Sequence, residues 1–133
     1  MDFLSRKHAL KFRALIQKDN THEDDRERKA LFYIIAGNED LYSKVNHIYD
    51  FKEHGITPEC LESKEVDFCT SSRKLIKLAY NLYNYYPADV IDTFYLLDKD
   101  NYNLAIKAID TRFGRNIGKE VNIENEIEEE LEI

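Results

Sequence analysis

At 133 residues the chain is one domain by length, long enough to bury a single core. Four glycines and two prolines are too few for a turn-rich β-sandwich, and 43% hydrophobic against 34% charged residues is ordinary for a soluble protein. A net charge of −7 argues against a strongly basic nucleic-acid binder, and no stretch approaches the ~20 apolar residues of a membrane span.

Residues 4–18 carry Leu4, Ala9, Phe12, Leu15 and Ile16 at helical spacing, with Ser5 as N-cap and Asp19-Asn20 as the stop. Thr21 and Asp24 then form a capping-box-like start for a second helix that runs to Ala36. Ala30 to Ala36 is apolar almost all round, which places that helix in the middle of a bundle. Gly37 ends it and Asn38 caps a third helix, predicted to continue to a stop at His54-Gly55. The second helix is expected to be flanked by the third and by the Ser71 helix.

Thr57-Pro58 opens a short turn, and residues 63–69 read as an ordered loop. A long helix follows from Thr70, Ser71 and Ser72 to about Tyr85, with Leu75, Ile76, Leu78, Ala79 and Leu82 inward. Pro87 sits near the start of a short helix with Val90, Ile91, Phe94 and Leu97. Asp98 caps a last core helix carrying Tyr102, Leu104, Ala105, Ala108, Ile109 and Phe113, stopped by Gly114.

Residues 119–133 hold seven glutamates and one lysine. That is −6 of the total −7, so residues 1–118 carry only −1. Ile123, Ile127 and Leu131 recur every fourth residue, enough for a weak amphipathic helix with an acidic face. Such a tail imitates nucleic-acid phosphate and suits a basic groove on another protein. Asp2, Arg6, Lys7 and His8 interrupt the N-terminal apolar residues, so no leader is expected, and Cys60 and Cys69 read as reduced structural thiols of a cytosolic protein.

Motifs for chemistry are sparse. His47, Asp50 and His54 fall at i, i+3 and i+7, one helical face with Cys60 and Cys69 downstream, but the spacing matches no zinc pattern. There is no GxSxG elbow, no GxxxxGK[ST] and no GxGxxG. Arg73, Lys74 and Lys77 form one modest basic patch, and Arg112, Arg115 and Lys119 another.

The segments Glu27–Asn38, Ile48–Phe51, Pro58–Leu61 and Ser71–Leu75 together resemble a family of small uncharacterised proteins of Bacillus- and Clostridium-type bacteria and their phages or mobile elements. The resemblance spans roughly residues 3–113. It implies a bacterial cytoplasm, or the host cytoplasm if phage-encoded, and carries over no catalytic residue.

The expectation is therefore an all-α, compact single-domain bundle of about five or six helices over residues 1–118, with an acidic tail over 119–133, frayed or weakly helical. The expected function is a non-enzymatic interaction module, an accessory protein that binds and inhibits or regulates a host protein such as a defence or nucleic-acid-handling factor. The candidate contact residues are Tyr42, His47, Tyr49 and Asp50 in the body, and Glu126, Glu128, Glu129 and Glu130 in the tail. No cofactor, metal or membrane is expected, and nucleic acid is disfavoured. The alternatives are a small metal-dependent hydrolase or nuclease using Glu27, His47, Asp50 or His54, and a nucleic-acid-binding regulator using Arg73, Lys74 and Lys77.

Overall fold

Seven apolar or small side chains in a row, Ala30 to Ala36, are all buried and form the axis of the molecule. They belong to α2 (Arg26–Ala36), which packs against α1 (Arg6–Asp19), α5 (Thr70–Asn84) and α7 (Lys99–Arg112) in a computed structural model that describes residues 1–115. The remaining helices are short: α3 (Glu39–Ser43), α4 (Val45–Ile48), a 3-10 turn (Pro58–Leu61) and α6 (Val90–Phe94). The described residues are mostly helical, as expected. The neighbours of α2 differ from expectation, because α7 and α1 cover it more than the short α3 does.

Capping chemistry sets most of the boundaries. Ser5 accepts from the His8 N–H at 3.1 Å to start α1, and Asn20 ends it in the left-handed conformation (φ 57°). Asn38 and Asp98 cap α3 and α7. The expected start of α2 at Thr21 is wrong. Asp25 caps it instead, accepting from Arg28 N–H at 3.0 Å while pairing with the Arg28 guanidinium at 2.8 Å. Thr21 turns back to donate to Asp19 at 2.6 Å.

The third helix is also corrected: it breaks at Lys44 and ends at Ile48. Tyr49–Asp50 (β1) and Gly55–Ile56 (β2) then pair antiparallel, Tyr49 with Ile56 and Asp50 with Gly55. The Asp50 carboxylate accepts the N–H groups of Lys52 and Glu53 at 2.9 and 3.1 Å, an Asx turn that competes with helix and wins. His47, Asp50 and His54 therefore share no helical face.

Gly37 is needed for closeness rather than for a special backbone. Its φ is −90°, but a Cβ there would lie 2.3 Å from Leu104 Cδ1, so glycine lets α7 approach the end of α2. Beneath the same junction His8 is buried, accepting from Leu4 N–H at 3.2 Å and donating from Nε2 to the Tyr33 carbonyl at 2.8 Å. That carbonyl, in the last turn of α2, also accepts from the Gly37 N–H at 3.2 Å, so the imidazole takes up its second lone pair. Burial pushes the His8 imidazole below its ordinary pKa, since the Leu4 bond needs the neutral ring.

Candidate functional site

Two regions merit weighing as a site. The first is a polar cluster where the end of α1, the start of α2 and the hairpin meet. Asp19 closes α1, where the helix dipole disfavours a carboxylate, and its side chain is nearly fully buried. Tyr49 donates to it at 2.7 Å, Thr21 at 2.6 Å and His54 Nδ1 at 2.8 Å. Arg28 Nε bonds the Tyr49 hydroxyl at 3.0 Å, and Arg28 Nη2 bonds the His54 carbonyl at 2.6 Å. Burial alone would raise the Asp19 carboxyl, but the bonds from Thr21, Tyr49 and His54 outweigh it and hold the pKa below the ordinary value. Burial pushes the Tyr49 phenol well up, and the Asp19 carboxylate adds to it.

His54 sits at φ 56°, left-handed for a residue with a Cβ, with its side chain about half exposed. A carboxylate on Nδ1 turns a neutral ring's Nε2 outward, the geometry of an oriented base. Among the described residues no serine, threonine or cysteine side chain is hydrogen-bonded to that ring. The cluster ties three elements together, and its geometry reads as a staple.

The sequence-based candidates are scattered. Tyr49 is 1% exposed and stacks edge-on to Phe32 and Phe51, so it faces the core and not a partner. That corrects its assignment as a surface contact, since its hydroxyl is taken up by Asp19 and Arg28. Tyr42 is half-buried beneath the Lys11 ammonium at 4.8 Å, Asp50 is exposed but spends its carboxylate on its own turn, and His47 is exposed at the end of α4. Glu27 pairs with Arg112 at 3.5 Å. The proposed hydrolase set of Glu27, His47, Asp50 and His54 is thus not brought together, and among the described residues no three His, Cys, Asp or Glu side chains cluster for a metal. Cys60 is buried, within 3.4 Å of the Tyr80 hydroxyl, and burial raises its thiol pKa; Cys69 is exposed, and both are free. Glu126, Glu128, Glu129, Glu130 and Lys119 lie outside the described residues.

The second region is the surface built by α5, α6 and α7. An open groove of about 750 Å³ between α5 and α6 is lined by Phe68, Thr70, Arg73, Lys74, Lys77, Pro87 and Tyr95, with Asp89 and Asp92 on the α6 side. Arg73 donates to the Leu61 carbonyl at 2.7 Å, and Lys74 to the Tyr95 carbonyl. Both cations are held by backbone oxygens rather than by carboxylates. Lys77 is exposed, and none of the three forms an ion pair with a described residue.

Beside the groove, Val90 and Ile91 of α6 point outward, whereas Phe94 and the following Leu97 pack partly buried against the core. Thr93 is an inward residue too, its hydroxyl bonding the Asp89 carbonyl at 2.7 Å, while Val90 and Ile91 are 70% and 71% exposed. Tyr102 and Phe113, counted among the residues of the last core helix, are exposed instead. On this five-residue helix Thr93 and Phe94 face the core and Val90 and Ile91 do not.

No helix among the described residues is long and apolar enough to cross a membrane. Residues 1–125 match a family of unknown function (DUF6075), and the chain belongs to that family. Neither the curated proteins nor the solved structures contain a match.

Proposed function

We propose that the protein is a non-enzymatic interaction module that binds and regulates a host protein, as an accessory factor of a phage or mobile element would, in a bacterial cytoplasm. The observation that carries this reading is the α5–α6 groove. Three cations without ion pairs among the described residues stand beside Phe68, Pro87 and Tyr95, with Lys74 also lying 5.9 Å from the Tyr95 ring. Mixed charge and aromatic lining of this kind suit a polypeptide segment carrying carboxylates and one or two apolar side chains. The acidic residues 119–133 offer a second contact, toward a basic patch on the same partner.

The test is affinity purification from the native host with the full chain and with a Lys74→Glu/Lys77→Glu variant, identified by mass spectrometry. A partner retained by the parent and lost by a folded variant supports the groove. The same proteins on both baits overturn it. A nucleic-acid role for Arg73, Lys74 and Lys77 is separated by salt, because it requires steep weakening of DNA or RNA binding between about 50 and 200 mM.

A further inference from the structure

The apolar face beside the groove differs from it in chemistry. Val90, Ile91, Phe94 and Tyr95 from α6 and Tyr102 and Ile106 from α7 line one shallow depression of about 380 Å³. Tyr95 is 65% exposed, and Leu96, next in sequence, is 83% exposed with a left-handed φ of 58°. Holding a leucine outward in that conformation opposes both its backbone preference and its solvation. These residues present on the order of 600 Å² of apolar surface, counting roughly 150–200 Å² for a fully exposed large side chain. That is at the upper end for a patch on a monomer.

We infer that this face is the interface of a homodimer, two copies meeting through α6 and α7 about a two-fold axis. A stable interface needs about 800 Å² from each partner, and the apolar centre alone supplies roughly three quarters of it. Homodimer interfaces are the more apolar kind, and the polar chemistry needed to select a foreign partner lies next door in the groove. A two-fold interface also demands self-complementarity, because each patch meets itself. An apolar centre satisfies that requirement. Both signs lie beside it, Asp98 and Lys99 at the start of α7 one turn before Tyr102, so a paired copy can present cations to carboxylates. Dimerisation covers Tyr95 in part and leaves Arg73 and Lys77 outside, so each dimer would carry two grooves.

Sedimentation velocity of the full chain from about 1 to 300 µM tests this, with dye binding to exposed apolar surface measured in parallel. The expected mass rises from 15.8 kDa toward twice that value as concentration increases. Ile91→Glu and, separately, Ile106→Glu should remain monomeric throughout with an unchanged circular dichroism spectrum. A parent chain that stays monomeric overturns the inference. In that case strong dye binding would indicate an open face, and weak binding a face covered by another segment of the same chain. Dimers that survive both substitutions overturn it too, by placing the interface elsewhere. The groove variant Lys74→Glu/Lys77→Glu should still dimerise, which separates this inference from the proposed function.

Discussion

Replacing Tyr49 with phenylalanine removes one oxygen atom from the staple and nothing from the core. The ring keeps its edge-on contacts with Phe32 and Phe51 at 4.9 and 5.0 Å between centroids. What goes is a hydroxyl that donates to the buried Asp19 carboxylate and accepts from Arg28 Nε. Hydrogen bonds to charged groups contribute roughly 1.5–3 kcal/mol each. Asp19 keeps His54 and Thr21, so the loss should fall near the lower part of that range, about 2 kcal/mol. For a chain of this size that corresponds to a Tm lowered by about 6–8 °C in calorimetry at pH 7. The difference should also depend on pH. The folded Asp19 titrates below its ordinary value of 3.8, so its contribution is complete above that value and is lost as pH falls through the lower folded one. The gap between parent and variant should therefore narrow in acid. A Tm within about 1 °C of the parent at pH 7 would show that the hydroxyl carries no stability, and the staple would have to be given up.

Two further perturbations address the packing. Gly37→Ala should destabilise by about 1–2 kcal/mol in urea titration, because a Cβ 2.3 Å from the fully buried Leu104 forces repacking that outweighs the loss of glycine entropy. A neutral or stabilised variant would mean that α2 and α7 separate easily. Acidification should weaken the fold through His8, whose folded pKa is depressed below 6.5, so stability complete above that pH is lost as it falls toward the folded value. The His8 ring resonances should titrate below 6.5 by NMR; titration at or above it would contradict the buried neutral ring.

The fold was legible where the hydrophobic pattern was long and unambiguous. Ala30–Ala36 announced a central helix, and Ser5, Asn38 and Asp98 announced their caps, because local hydrogen bonding there agrees with the tertiary packing. Reading failed where short segments had two local options. The helical spacing of Leu41, Val45 and Ile48 suggests a helix running on to His54, but the Asp50 side chain satisfies the backbone of a turn and Tyr80 donates to the Ile48 carbonyl, which closes the helix there. The site was less legible than the fold. Asp19 and Arg28 are ordinary helix-end residues until the hairpin folds onto them, so nothing local marks their coupling. On the five-residue α6, apolar spacing does not say which face is inward, and Val90 and Ile91 turn out exposed. Arg73, Lys74 and Lys77 were visible as a basic stripe, but the groove beside them needs Pro87 and Tyr95 from another element.

Calorimetric titration of the captured partner's binding segment into the full chain and into Lys74→Glu/Lys77→Glu addresses the central claim most directly. Recognition by the α5–α6 groove predicts at least tenfold weaker binding for the variant, about 1.4 kcal/mol, and affinity for the parent that falls as salt rises. Equal affinity for the two proteins, with both folded, would place recognition on another surface and contradict the account.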